Sequence, residues 1–198
     1  MASYARRTVE ERRRQLIDLG LDLFGTRPYD EISIEEIAQE AGMSKGLLYH
    51  YFPSKRDFYV ACVHQAALEL RRATRPDPRL DPPAQLRAGL SVYLDHVQAN
   101  LARCRAFVSG GIGADPEVTA ITEETRRINS ENILGGLGVT EEERLLRMVV
   151  RGWISFVEIT AIKWAEAGGA DKEELVQILL AALAAVVRRA RAMPAKVR

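Results

Sequence analysis

Apolar residues recur at helical spacing along nearly the whole chain, and no run of four or more residues alternates apolar with polar as a half-buried strand needs. Ile17, Gly20, Leu21 and Phe24 fall at i, i+3, i+4 and i+7, while Arg12, Arg13 and Asp22 lie elsewhere on the same cylinder. Capping signals divide the pattern into separate helices: Thr8 with Glu11, Ser33 with Glu36, Ser44, Ser54 with Asp57, Asp115 before Pro116, Thr140 with Glu143, and Asp171 with Glu174. The expected fold class is all-α. Its first four helices are expected to end near 25, 42, 52 and 72, and its last two to span about 140–167 and 171–193.

The 198 residues are 47% hydrophobic and 28% charged, a balance that builds packed cores rather than a disordered chain. Net charge is only +1, which excludes a uniformly cationic coat but not a local basic patch. Cys62 and Cys104 cannot form a disulfide framework or, by themselves, a zinc site, so no metal is expected. No stretch reaches the roughly 18 apolar residues that suggest a membrane span. The start, MASYARRTVEERRR, turns charged at once, and the expectation is a cytoplasmic protein.

Four of the eight prolines, Pro76, Pro78, Pro82 and Pro83, crowd between Ala73 and Ala84, which reads as a connector. The expected organisation is a small N-terminal module over 1–53, a connecting helix over 54–72, and a larger helical domain over 73–198.

The informative stretch is Ser33 to Lys55, SIEEIAQEAGMSKGLLYHYFPSK. Two short helices around Gly42-Met43-Ser44 have helix-turn-helix spacing. At about 100° per residue, Leu48 and Phe52 share the buried face of the second helix, Gly46, Leu47 and His50 lie opposite, and Lys45 and Tyr49 lie at the flanks. A cation, an imidazole, a phenol and a glycine make poor solubilising chemistry but suit a DNA groove. Lys45 can meet a phosphate or a guanine edge, Gly46 lets backbone approach, and Leu47 can press on a thymine methyl. Ser44 sits where the helix dipole favours a phosphate, and Lys55 offers a second clamp. Periodicity alone fits a small helical bundle with an aromatic-rich turn nearly as well.

From Thr8 to about Ala66 the sequence resembles the DNA-binding domain of the tetracycline-repressor (TetR) family. The matching marks are Leu23-Phe24, Tyr29, Ser33-Ile34, Ile37-Ala38, Ala41-Gly42-Met43-Ser44, Leu48-Tyr49, Tyr51-Phe52 and Lys55. Position 47, often small or polar in that family, is Leu here. The resemblance implies a homodimeric regulator, usually a repressor, released from a palindromic operator by a small effector held in the C-terminal domain. It places Ser33, Ser44, Lys45, Gly46, Tyr49, Tyr51 and Lys55 at DNA-contacting positions, and the helical face adds His50. It also implies that the last two helices pair in a dimeric four-helix bundle. Leu175, Ile178, Leu179, Ala182 and Val186 are the candidate interface, with Arg151 and Glu158 expected to form ion pairs across it rather than to recognise ligand. Tyr93, His96, Phe107, Trp153, Phe156 and Trp164 are pocket candidates, although aromatics at helical spacing are more often plain core. Arg6 and Arg7 are candidates for a mobile arm on the duplex, and the basic tail through Arg198 reads as a solvated end.

An enzyme is not expected, nor is a cofactor. His50, His64 and His96 have no ligand-spaced partners, and the glycine clusters at 110–113 and 135–138 lack the strand and the Lys-Ser/Thr of a phosphate loop. A helical protein-interaction module, or a small-molecule binder that does not touch DNA, is the alternative.

Overall fold

The computed structural model describes residues 8–108, 115–140, 143–168 and 171–192, with the side chains of 106–108 excepted. Among the described residues there are nine α-helices and no strand: α1 Val9–Thr26, α2 Ile34–Glu40, α3 Lys45–Tyr51, α4 Lys55–Ala73, α5 Pro82–Ala99, α6 Leu101–Val108, α7 Pro116–Gly136, α8 Arg144–Glu166 and α9 Lys172–Arg191. No described helix is long and apolar enough to cross a membrane. The all-α expectation holds.

The caps form as the sequence spacing requires. Thr8 Oγ1 accepts from the Glu11 N–H at 3.2 Å, and Glu11 accepts from the Thr8 N–H at 2.8 Å. Asp171 caps α9 by accepting from the N–H groups of Glu173 and Glu174. Two boundaries differ from expectation. Pro82 and Pro83 are the first residues of α5, capped by Asp81, because a first-turn proline loses no intrahelical bond. The connector is correspondingly shorter. Glu143 accepts from the Thr140 N–H at 2.9 Å, yet α8 starts only at Arg144, with no side-chain cap.

The chain divides into two compact units, Met1–Leu68 with Ala102–Ile121, and Glu69–Leu101 with Thr122–Arg198. This cut differs from a single boundary near 73, because α6 and the first turns of α7 belong to the first unit.

The first unit packs Leu16, Ile17, Leu21 and Phe24 of α1 against Ile34 and Ile37 of α2, Leu48 of α3, and Phe58, Tyr59, Cys62 and Val63 of α4, with Val118 of α7 added. Phe24 meets the Tyr59 ring edge-on at 4.9 Å, and Phe52 meets Phe58 at 4.8 Å. α1 passes α4 at Gly20, where a Cβ would lie 2.5 Å from both Cys62 Sγ and Phe58 Cζ. Gly20→Ala is therefore expected to cost about 1–3 kcal/mol by overpacking, despite alanine's better helix propensity. A thermal melt followed by circular dichroism checks this; an unchanged midpoint would contradict the close crossing.

In the second unit α5, α8 and α9 pack on one another. Their buried apolar residues include Leu90, Leu94 and Val97 of α5, Val150, Trp153 and Val157 of α8, and Val176, Leu179 and Leu183 of α9. The Trp153 indole N–H donates to the Leu179 carbonyl at 3.0 Å, which satisfies the one polar atom of a buried ring. Lys172 pairs with Asp95 at 2.8 Å, tying α9 to α5.

Both long C-terminal helices also carry apolar residues outward. On α8 these are Leu145, Met148, Phe156 and Ile159; on α9 they are Ile178 and Val186. Gly152 lies in the same α8 stripe, and a Cβ there would meet nothing within 4 Å.

Candidate nucleic-acid interface

The α2–turn–α3 segment is built by local chemistry. Ser33 Oγ accepts from the Glu36 N–H at 3.1 Å and starts α2. Gly42, at φ 62°, reverses the chain, and the Met43 N–H donates to the Ala38 carbonyl at 3.0 Å to close the turn. Ser44 Oγ accepts from the Leu47 N–H at 3.2 Å and starts α3. Pro53 follows the last residues of α3, and Ser54 with Asp57 restarts the chain as α4. The Ser33 and Ser44 hydroxyls act as acceptors in their caps, which leaves the O–H proton of each to donate to an incoming acceptor, whereas Ser54 Oγ already donates to Asp57 Oδ2 at 2.8 Å.

Leu48 and Phe52 are fully buried and fix the rotation of α3, as the wheel predicts. The opposite side presents Lys45, Gly46, Leu47, Tyr49 and His50, all exposed. Leu47 and Tyr49 stay about two-fifths exposed, 43% and 39%. A Cβ at Gly46 would touch nothing within 4 Å, so no packing in this chain demands a glycine there. Tyr51 turns partly into the core and stands edge-on to His50 at 5.7 Å.

The two lysines are held in different ways. Lys45 Nζ forms an ion pair with Glu35 of α2 and lies 5.8 Å from the centre of the Tyr49 ring. The Glu35 hydrogen bond raises the lysine's pKa, and the lysine in turn holds the Glu35 carboxyl below its ordinary range. Lys55 Nζ sits 3.9 Å from the centre of the Tyr29 ring, a cation–π seat. Neither Glu35 nor Tyr29 stands out as a lysine partner in the sequence, because the pairings cross a turn or a loop and follow no helical period. Arg56 is likewise engaged far along the chain. Its Nε and Nη2 donate to Asp115 at 2.6 and 3.0 Å, and Nη2 reaches Glu117 at 3.2 Å. Asp115 also caps α7, and the Arg56 hydrogen bond holds its carboxyl below the usual range.

The C-terminal candidates separate. Trp153 and Trp164 are buried, and Tyr93 and His96 are half-buried on α5. Phe156 is 45% exposed on the outer stripe of α8, so its assignment to an interior pocket is corrected. The Phe107 side chain lies outside the described residues, as do Arg6, Arg7 and Arg198. Leu175 and Leu179 are buried in their own unit rather than turned outward; Ile178 and Val186 are exposed and Ala182 is half-buried. Glu158 pairs with Arg126 of α7 at 2.9 Å, and Arg151 approaches Glu123 at 3.7 Å. Both ionic residues thus approach carboxylate or guanidinium groups of α7 in their own chain.

This geometry coincides with that of known proteins. The family model described as "Bacterial regulatory proteins, tetR family" matches residues 16–62, and "Tetracyclin repressor-like, C-terminal domain" matches residues 82–186. The chain belongs to the TetR family. Its structural relatives include a tetR-family transcriptional regulator from Streptomyces coelicolor, 37% identical, covering 94% of this chain and 84% of that one with a TM-score of 0.83. Among curated relatives, the HTH-type transcriptional activator FasR of Mycolicibacterium smegmatis is 30% identical over 113 residues, 56% of this chain and 52% of FasR. The regulator RutR of Escherichia coli K12 is 31% identical over 109 residues, 52% of this chain and 51% of RutR. The chain thus spans about half the length of these curated relatives.

Proposed function

We propose that the chain is a ligand-responsive, sequence-specific DNA-binding transcriptional regulator that works as a homodimer beside cytoplasmic DNA. The observation that carries this reading is the outward face of α3. Lys45, Gly46, Tyr49 and His50 are exposed together on a short helix whose rotation is fixed by Leu48 and Phe52. Gly46 in particular has no role in the chain's own packing. Ser33, Ser44, Tyr51 and Lys55 flank that face as phosphate contacts. A two-fold dimer would set its α3 helices in successive major grooves, about 34–36 Å apart.

The outward apolar stripe supports the dimer. Met148, Phe156 and Ile159 of α8 and Ile178 and Val186 of α9 lie in water in one chain, and burying them against a second copy removes that cost. Gly152 in the middle of a 23-residue helix sacrifices about 1 kcal/mol of helix propensity, which a close helix–helix approach offsets.

The second unit is read as the sensor, with Tyr93, His96, Trp153 and Trp164 as candidate linings. FadR of Bacillus subtilis, of the same fold at 17% identity and a TM-score of 0.65, is solved with stearoyl-CoA, so the fold accommodates a small-molecule ligand. α4 runs on from the first unit into the second and is the natural lever. An effector acts only through its different affinity for the DNA-competent and incompetent states, typically a coupling of about 1–3 kcal/mol. The proposed outcome of effector binding is release of the operator.

Lys45→Ala together with Lys55→Ala tests the reading. Removing two phosphate contacts on each of two heads should weaken binding to all duplexes alike and reduce the salt slope by about two to four. Mobility shifts over a salt series on DNA upstream of the chain's own gene measure both. Unchanged operator affinity in the double variant would refute the assignment of this face.

A further inference from the structure

The Lys45–Glu35 pair has a consequence for the strength of DNA binding. Lys45 is the first residue of α3 and Glu35 lies in the first turn of α2, ten positions earlier and across the Gly42 turn. Besides its favourable place in the first turn of α2, Glu35 is engaged by Lys45. Ser33 supplies the α2 cap, and the neighbouring Glu36 is taken by Arg27. The two side chains remain 62% and 48% exposed, so the pair forms on the surface from which a phosphate would arrive. Lys55 makes the contrast. Its seat is the neutral Tyr29 ring, and a phosphate approaching it displaces no anion.

We propose that Glu35 is an intramolecular competitor for the DNA backbone, occupying Lys45 in the unbound chain and surrendering it when α3 docks. This deepens the DNA-binding reading and rests on it. The exchange at Lys45 replaces one anion by another, so the contact contributes less net affinity than an unpaired lysine would. Because the contact is to the backbone, the competition restrains binding to every sequence equally. Both members are fully charged at neutral pH, since each shifts the other's proton affinity toward the charged form. Glu35 is a positioning residue, acting on DNA through Lys45.

The test is a double-mutant cycle with Glu35→Gln and Lys45→Ala, read by fluorescence anisotropy on a labelled duplex of arbitrary sequence at low salt. Glu35→Gln alone should tighten binding about 3-fold per reading head, hence about 10-fold for a dimer holding both, the upper part of what an exposed ion pair is worth. The gain should shrink as salt rises and screens the pair. In the Lys45→Ala background it should vanish, because nothing remains for Glu35 to hold. A gain that persists without Lys45 would mean that Glu35 merely repels the duplex, and the proposal would fall. Absence of any gain in a protein that binds the duplex would also overturn it, with the DNA reading left standing. A wild-type chain that does not bind the duplex at low salt would overturn both. Glu35 is exposed and is not the cap, so melts of all variants should match the wild type within a few degrees and exclude unfolding as the cause.

Discussion

Phe156→Glu is expected to convert the proposed dimer into monomers and to remove most of the operator affinity with it. Phe156 is exposed on α8 between Gly152 and Ile159, in a stripe that also holds Met148. At about 100° per residue these four positions span only about 80° of the helix circumference, one continuous strip. A two-fold axis across the strip brings each protomer's carboxylate into an apolar contact twice over. A buried charge without a partner costs several kcal/mol, so two of them should raise the dimer dissociation constant by at least about 10³-fold. A single chain should lose little, because position 156 is open to water there. Ile178→Glu on α9 should act in the same way. Sedimentation at micromolar concentration measures the outcome. A Phe156→Glu protein that still sediments as a dimer would place the interface elsewhere. Because a lone head holds only one half-site, the monomeric variant should also lose most of its operator affinity.

The second large effect is expected at Gly46. A side chain there meets nothing within 4 Å in the free protein, and the position is the second residue of α3. Gly46→Leu should leave stability unchanged or slightly raised, since leucine favours helix more than glycine by up to about 1 kcal/mol. In the proposed complex the same side chain would stand where the α3 backbone approaches the DNA. If it is overpacked at about 1–3 kcal/mol per head, two heads lose about 2–6 kcal/mol, roughly 30-fold to 10⁴-fold in affinity. Gly20 is the contrast, since a Cβ there would lie 2.5 Å from both Cys62 Sγ and Phe58 Cζ.

What was legible in the sequence was local. Thr8–Glu11, Ser33, Ser44 and Asp171 cap helices within three residues of themselves, and the inward turn of Leu48 and Phe52 follows from helix periodicity alone. What was missed was either long-range or ambiguous in phase. Arg56 and Asp115 are 59 residues apart, and no pattern links them. α8 is apolar around most of its circumference, so periodicity could not tell which side faces its own core. Trp153 and Phe156 were read as one lining, yet Trp153 turns inward to the Leu179 carbonyl and Phe156 turns outward. The same ambiguity on α9 merged buried Leu175 and Leu179 with exposed Ile178 and Val186. Glu158 and Arg151 meet Arg126 and Glu123 of α7, whose rotation the sequence does not fix, and Arg151 is exposed rather than buried.

The central claim is that the exposed face of α3 reads DNA, and it is tested most directly by measuring one protein twice. Wild type and Gly46→Leu are compared first by thermal melting and then by titration of the operator fragment. The account predicts matching melts, with the variant's operator affinity lower by about 30-fold or more. A Gly46→Leu protein that melts like the wild type and binds the operator equally well would contradict it, because the proposed docking of α3 leaves no room for that side chain.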